Sequence, residues 1–257
     1  MTGPTYLQFH LVFLAPAVAL MAATTVASRP WRRVHGIDCV GADRSYWVGV
    51  AVVTLIALAY TTPWDNYLIA TGVWSYGEGS TLARLGYAPI EEYAFIVVQP
   101  VLTALWLSPL SRPAWSTPAH PRRSRAVATG TALALGAVGW WLLWSATTFY
   151  LGAILAWAAP VLALQWAVGA PQLWANRRLV ALGTLVPTLY LCIVDRVAIE
   201  HGIWTLSTRY TTGVEIAGLP VEEAVFFLAT NLFVVQGLVL YRWVLDRRRP
   251  TDDDSDA

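Results

Sequence analysis

The chain alternates between long apolar runs and short polar connections. Seven runs are long enough to cross a bilayer, for which an α-helix needs about 20 predominantly apolar residues. They cover residues 6–27, 46–71, 90–107, 126–147, 149–168, 179–201 and 221–241. The pattern predicts an all-α fold, a multi-pass membrane bundle of seven helices.

Three sequence signals occur twice in the same order, which indicates an internal repeat. Tyr6 with Pro16 returns as Tyr150 with Pro160. Asp65 before Gly72-Val73-Trp74 returns as Asp195 before Gly202-Ile203-Trp204. The Pro-x-Glu-Glu-x-x-Phe motif begins at Pro89 and again at Pro220. We predict three-helix repeats at 1–110 and 149–246, a loop and linker helix at 111–148, and a disordered charged tail at 247–257. Because one linker crossing separates two three-helix units, the repeats should run parallel, with both acidic motifs at the same depth.

The arginines predict the orientation of the bundle. All 17 basic residues are arginine. Fourteen of them lie at the predicted connections on one side of the membrane, and only Arg84, Arg196 and Arg209 lie on the other side. By the positive-inside rule, the N-terminus then faces out, the C-terminus faces the cytoplasm, and the protein lies in the cell membrane. The acidic residues show the opposite trend, since nine of the 16 belong to the outer half.

Composition excludes several classes of protein. With 56% hydrophobic and 13% charged residues, the chain has too little polar surface for a soluble domain. The absence of lysine excludes a Schiff base with retinal, the chemistry of many seven-helix photoreceptors. Cys39 and Cys192 match neither a disulfide framework nor a metal site, and nothing in the sequence indicates a nucleic-acid partner.

Two adjacent glutamates stand at the start of one helix in each repeat, Glu91 with Glu92 and Glu222 with Glu223. Capping of the helix dipole would explain a single glutamate at each position. Paired carboxyls at a membrane boundary repel each other, and burial also favours the neutral form. We therefore expect at least one carboxyl of each pair to be protonated, as a general acid requires.

Helical phase separates the two members of each pair, because residues seven positions apart share a face. Polar residues follow on two of these faces: Gln99 and Thr103 after Glu92, and Thr230, with Asn231 beside it, after Glu223. A polar stripe within a membrane should face the bundle. We therefore predict that Glu92 and Glu223 point inward and that Glu91 and Glu222 influence their protonation.

Asp65 and Asp195 each precede a glycine by seven residues, about two turns inside a helix end. An ionisable residue at that depth is a candidate for function. The alternative is an interfacial anchor or, for Asp195, an ion pair with Arg196.

Aromatic and amide side chains cluster at the level of these acids. An interfacial belt would explain many of the rings, whereas ring faces near neutral carboxyls could stabilise a carbocation. The candidate substrate-binding residues are Trp64, Asn66, Tyr67, Trp74, Phe95, Trp204, Phe226 and Asn231.

The chain resembles the small-membrane-protein type of lycopene cyclase over residues 5–245. The motifs that carry the resemblance are Pro63-Trp64-Asp65-Asn66-Tyr67, Gly72-Val73-Trp74, Pro89-Ile90-Glu91-Glu92, Asp195 and Pro220-Val221-Glu222-Glu223. Family members occur as two short subunits, as a fused archaeal form, which this chain looks like, and in fungi as fusions to phytoene synthase. Around Asp195 the second repeat reads Val-Asp-Arg-Val where the first reads Trp-Asp-Asn-Tyr, which predicts one asymmetric site.

The resemblance implies conversion of membrane-dissolved lycopene to a carotene with β-ionone rings, an isomerisation without net redox change. It implies Glu92 and Glu223 as acid and base in either order, with Asp65 and Asp195 holding or relaying protons. No cofactor is implied, since the Gly-x-Gly-x-x-Gly fingerprint of the flavin-dependent cyclases is missing. The size of the carotenoid, forty or fifty carbons, and homo-oligomer formation stay open.

A different class fits parts of the same pattern. A proton-coupled small-solute transporter can also combine parallel three-helix repeats with intramembrane acids. Such a carrier should place helix-breaking Gly or Pro and an acid at the membrane centre of both halves, whereas the acids here lie near the outer ends.

Overall fold

The computed structural model describes residues 4–36, 38–117 and 119–248. Most of the predicted charged tail, residues 249–257, lies outside the described residues, and so does Arg249 of the orientation argument. Arg247 and Arg248, which we assigned to that tail, instead belong to the last helix.

The described residues form eight α-helices. These are α1 (Tyr6–Phe9), α2 (Ala15–Val34), α3 (Arg44–Thr71), α4 (Ile90–Leu107), α5 (Pro121–Leu142), α6 (Phe149–Ala175), α7 (Arg177–Glu200) and α8 (Val221–Arg248). A π-helical turn, His10–Leu14, joins α1 to α2, so both belong to one apolar span. Short 3-10 turns precede α3 at Val40–Ala42 and α6 at Ala146–Thr148.

The fold class predicted from the sequence is confirmed as all-α, with six helices long and apolar enough to cross a membrane. The predicted fourth span, 126–147, is not among these six. Its helix α5 begins at Pro121 with three arginines in its first turns and already ends at Leu142. The apolar part after Arg125, residues 126–142, therefore lies at the short end of the roughly 17 to 25 residues of a spanning helix.

Helix α5 packs tightly along α6 through small residues. A Cβ added to Gly139 would lie 2.5 Å from the backbone nitrogen of Ala156, and one added to Gly152 would lie 2.8 Å from the Gly139 carbonyl. Such close approach of two backbones is typical of helix pairs in membranes. The two helices form a hairpin closed by residues 143–148.

Three short antiparallel strand pairs, which the sequence analysis did not predict, lie between the helices. Strand β1 (Trp74–Tyr76) pairs with β4 (Trp204–Leu206), β2 (Arg84–Leu85) with β3 (Ala88–Pro89), and β5 (Glu215–Ile216) with β6 (Leu219–Pro220). The β1–β4 pair links the two halves of the chain, with Ser75 opposite Thr205.

These strands gather helix ends at one end of the bundle. The backbone N–H of Tyr6, at the start of α1, donates to the Ser80 carbonyl, and that of Tyr150, at the start of α6, donates to the Tyr210 carbonyl. Helices α4 and α8 begin directly after β3 and β6, while α3 and α7 end just before β1 and β4. Both Glu pairs therefore enter the same region of the protein.

Candidate active site

A cavity of about 50 Å³ lies where these helix ends meet. Four of the six predicted acidic residues line it: Asp65 from α3, Glu92 from α4, Asp195 from α7 and Glu223 from α8. Each half of the chain thus contributes one Asp and one Glu, and the four carboxyl groups share one small space.

Glu92 accepts two tyrosine hydrogen bonds on the same carboxyl oxygen. The hydroxyl of Tyr6 donates to Oε2 at 2.8 Å and the hydroxyl of Tyr76 donates to it at 2.7 Å. Trp74 Nε1 in turn donates to the Tyr76 hydroxyl at 3.1 Å, which fixes that ring. Burial, followed by the nearby Glu92, raises the pKa of Tyr76 well above its usual range, so the phenol keeps its proton.

Glu223 has a similar but smaller set of partners. The hydroxyl of Tyr150 donates to its Oε1 at 2.9 Å. The residue that corresponds to Tyr76 in the second half, Leu206, has no hydroxyl to add. The two cavity glutamates therefore differ in how strongly their surroundings stabilise a negative charge.

Glu91 and Glu222 do not line the cavity, although both are buried. Glu91 Oε1 accepts the backbone N–H of Leu82 at 2.8 Å, and Glu222 Oε1 accepts that of Thr212 at 2.7 Å. These carboxyl groups hold the loop before each helix against its first turn.

Asp65 and Asp195 are 4% and 3% exposed, so water reaches neither of them freely. Among the residues that the structure describes, Oδ2 of each aspartate has no hydrogen-bond partner. Burying an unpaired polar atom is costly, which makes these positions candidates for function rather than for stability.

Four of the eight predicted substrate-binding residues line the cavity: Trp74, Phe95, Trp204 and Phe226. Trp64 lies behind them and stacks on Phe226 with ring centroids 5.7 Å apart. The structure therefore places five of the predicted aromatic side chains at or directly behind the cavity, and their role in binding stays a prediction.

The other three predicted binding residues lie elsewhere. The Asn66 amide oxygen accepts the backbone N–H groups of Tyr87 and Ala88, which ties the β2–β3 hairpin to α3. Tyr67 is 57% exposed. Asn231 is fully buried and accepts the amide of Gln99 at 2.6 Å, so it joins α8 to α4.

Sequence analysis missed the three tyrosines that contact the cavity glutamates. Tyr6 and Tyr150 were noticed as markers of the repeat, and that recurrence at the head of two apolar runs was the available signal. Tyr76 has no such signal, because it is one of many aromatic residues at this level of the sequence. For the described residues, no group of three His, Cys, Asp or Glu side chains is placed to hold a metal ion.

The described residues form a bundle with six helices of membrane-spanning length and with acids gathered in an aromatic-lined cavity, which defines a multi-pass membrane protein with a candidate active site. The sequence profile of the lycopene cyclase family matches residues 41–108 and 144–242, and the chain belongs to that family. This membership decides against the transporter that the sequence pattern left open.

Known relatives cover nearly the whole chain. It is 50% identical to the lycopene beta-cyclase of Halobacterium salinarum over 93% of this chain and 98% of that protein. It is 35% identical to a bifunctional lycopene cyclase/phytoene synthase of Pyrenophora tritici-repentis, over 93% of this chain and 41% of the fungal protein. The corresponding protein of Phycomyces blakesleeanus is 31% identical over 90% of this chain. No solved structure matches the chain.

Proposed function

We propose that this protein is a lycopene β-cyclase of carotenoid biosynthesis, an isomerase that closes β-ionone rings at the acyclic ends of lycopene. The product is β-carotene, with monocyclic γ-carotene as the intermediate. The observation that carries the proposal is the cavity in which Glu92 and Glu223 face aromatic rings. The half-identical relative named lycopene beta-cyclase supports the choice of substrate and ring.

The reaction needs one proton donor and one proton acceptor. A carboxylic acid adds a proton to the terminal double bond, which leaves a tertiary carbocation at the chain end. The neighbouring double bond of the chain attacks this cation, and the new carbon–carbon bond closes a six-membered ring. The positive charge moves to the tertiary ring carbon at the other end of the double bond that attacked. A carboxylate then removes the proton from the ring carbon that carries the polyene. One proton enters and one leaves, so no electrons are exchanged.

The hydrogen bonds support a division of roles between the two glutamates. Two hydroxyl donors on one oxygen stabilise the ionised form of Glu92, which suits the base. Glu223 has one donor and lies in the same dry cavity, so it suits the neutral acid. We assign Glu223 as the proton donor and Glu92 as the acceptor.

The aromatic lining has a role between these two proton transfers. The faces of Trp74 and Trp204 attract positive charge, by about 0.5 to 2 kcal/mol for each ring. Phe95 and Phe226 add apolar walls that exclude water, which would otherwise capture the cation as an alcohol. Asp65 and Asp195 hold or relay the proton that must return from Glu92 to Glu223 after each turnover.

The proposal includes the finer membrane arrangement. Helix α5 crosses the bilayer beside α6, which gives seven crossings, two parallel three-helix repeats and an acidic site near the outer face of the cell membrane. The tight α5–α6 hairpin supports the additional crossing. Matching contacts in the two halves, such as Tyr6 with Glu92 and Tyr150 with Glu223, support the repeat.

Expression in a lycopene-accumulating host, followed by chromatography of the pigments, tests the function. The unmutated protein should convert lycopene to β-carotene, whereas Glu223→Gln should leave lycopene, with a loss of at least ~100-fold. Glu92→Gln should lose a similar factor, and its residual product should include rings with a displaced double bond, because the cation then loses another proton. Glu200→Gln, at an exposed carboxyl of the same bundle end, is the matched control.

Two results would contradict the proposal. Lycopene left untouched by the unmutated protein would remove the cyclase function. Unchanged cyclisation by both Glu92→Gln and Glu223→Gln would remove the assigned acid and base and leave the function standing.

A further inference from the structure

A second, larger space adjoins the acidic cavity. It is a groove of about 570 Å³ between α3, α4, α6 and α8. Asp65, Glu92, Phe95 and Phe226 line both spaces, so the groove opens directly onto the acids. A group held in the cavity could therefore continue into the groove without a break.

The groove follows the helices away from the acids through the bundle. On α3 its lining runs from Asp65 back to Val52, and on α8 it runs from Phe226 to Val244. At 1.5 Å per residue these stretches measure about 20 Å and about 27 Å. The groove is thus elongated and covers most of the roughly 30 Å hydrocarbon thickness of a bilayer.

Beyond Asp65 and Glu92, the groove lining carries no charged side chain; all its residues belong to the described part of the chain. Several of its polar members bond to the protein: Gln99 donates to Asn231, the Thr230 hydroxyl donates to the Phe226 carbonyl, and Gln165 Nε2 donates to the Phe233 carbonyl. A lining made mainly of apolar side chains favours an apolar occupant.

The groove is accessible from the side of the bundle. Ile56 on α3 and Leu164 on α6 line it and are 61% and 66% exposed. In a membrane these positions contact lipid chains, so an occupant can enter sideways from the bilayer. Nearer the acids, Tyr60 and Trp157 stack at 5.6 Å and hydrogen-bond, which closes the gap between the same two helices.

We propose that this groove binds the polyene chain of the substrate while one acyclic end occupies the acidic cavity. The inference rests on the proposed function and adds a binding site for the unreactive part of the molecule. An acyclic end attached to a long, rigid, apolar chain is the ligand that matches a small acidic cavity continued by an uncharged groove. The groove then selects for chain length and places the chain across the membrane.

Gly237 offers a position at which to block the groove far from the acids. It lines the groove, and an added Cβ would lie 3.4 Å from Val53 and 3.5 Å from Gln165, which are ordinary contacts. A leucine there would fill the space between α3 and α6. Gly130 on α5 is exposed, with nothing within 4 Å of an added Cβ, so Gly130→Leu is the matched control.

The test compares two substrates with purified protein in detergent. One is lycopene, and the other is an apo-lycopenal, a shortened polyene with one intact acyclic end. Gly237→Leu should cyclise lycopene at least ~10-fold more slowly than the unmutated protein and keep its rate on a sufficiently short apo-lycopenal. Gly130→Leu should match the unmutated protein on both substrates.

Unchanged lycopene cyclisation by Gly237→Leu would overturn the groove assignment. If Gly237→Leu is inactive on both substrates, Val161→Trp narrows the groove from α6 instead, and the same selectivity for the short substrate is expected. Loss of both activities in both variants, with folded protein by gel filtration and circular dichroism, would also overturn it. An unmutated protein inactive on both substrates would instead overturn the proposed function.

Discussion

Glu92 and Glu223 occupy corresponding positions in the two halves but have different hydrogen-bond partners. Tyr6 and Tyr150 correspond, and each donates to the glutamate of its own half. Tyr76 donates only to Glu92. A single additional hydroxyl thus makes an otherwise symmetric pair of carboxyls unequal. The proposed mechanism, with one acid and one base, requires such a difference.

Tyr76→Phe tests this inequality. The change removes one donor from Glu92, and a hydrogen bond to a charged group contributes about 1.5 to 3 kcal/mol. We expect cyclisation to slow by about 10-fold or more, because less of Glu92 is then ionised and correctly oriented. Initial rates in detergent provide the measurement.

Tyr87→Phe is the control for this change, since that ring is 60% exposed and its hydroxyl lies outside the cavity. It should keep the unmutated rate. A Tyr76→Phe protein as fast as the control would show that the extra hydroxyl does not support the base.

At the residue scale, the sequence predicted which glutamate of each pair turns inward. Helical phase suffices for that, because it depends on residues within the same helix. The tyrosine partners could not be predicted in this way, since Tyr6 lies 86 residues from Glu92 and Tyr150 lies 73 from Glu223. Contacts over such separations depend on how the helices assemble.

At the scale of the elements, Glu91 and Glu222 each connect a loop to the helix that follows it. The backbone donors of Leu82 and Thr212 would otherwise lack partners near the start of α4 and α8. Carboxylates suit this place because a helix N-terminus carries partial positive charge. Adjacent glutamates therefore have two positions, one holding the backbone and the other facing the acidic cavity.

Substitutions at Glu222 should separate these purposes. Glu222→Gln keeps an oxygen that can accept the Thr212 N–H, so we expect cyclisation within about threefold of the unmutated protein. Glu222→Ala leaves that donor unpaired, and the free energy of unfolding should fall by about 1 to 3 kcal/mol. Unfolding in detergent and pigment conversion measure the two effects. A Glu222→Gln protein as inactive as Glu223→Gln would place Glu222 in the chemistry.

The elements that the sequence missed are those with the weakest patterns. Strands of two or three residues are too short for a periodicity to indicate them. Helix α5 was predicted too far along the chain, because its arginine-rich start was assigned to the preceding loop. The remaining long helices were predictable, since each carries an apolar run of spanning length.

At the scale of the whole molecule, the two halves repeat their contacts but share a single cavity. Strand β1 lies against β4, and the cavity takes one Asp and one Glu from each half. The residue after each Asp contacts a hairpin: Asn66 bonds the β2–β3 turn, and Arg196 lies close to Gly218 in the β5–β6 turn. The difference between Asn66 and Arg196 therefore changes how each hairpin is held more than it changes the surroundings of the two aspartates.

In the described part of the chain both cavity glutamates line one space, and the proposed function then determines how a substrate with two reactive ends is processed. In the proposed mechanism the acids reach one acyclic end at a time, so the monocyclic product has to leave the proposed groove, turn round and enter again. We expect γ-carotene to appear before β-carotene when purified protein is given labelled lycopene. Unlabelled γ-carotene added in excess should then reduce the label that reaches β-carotene, because released intermediate mixes with the added pool. Labelled β-carotene formed undiminished and without free γ-carotene would mean that both ends are closed in one binding event, which a single cavity in one chain does not permit.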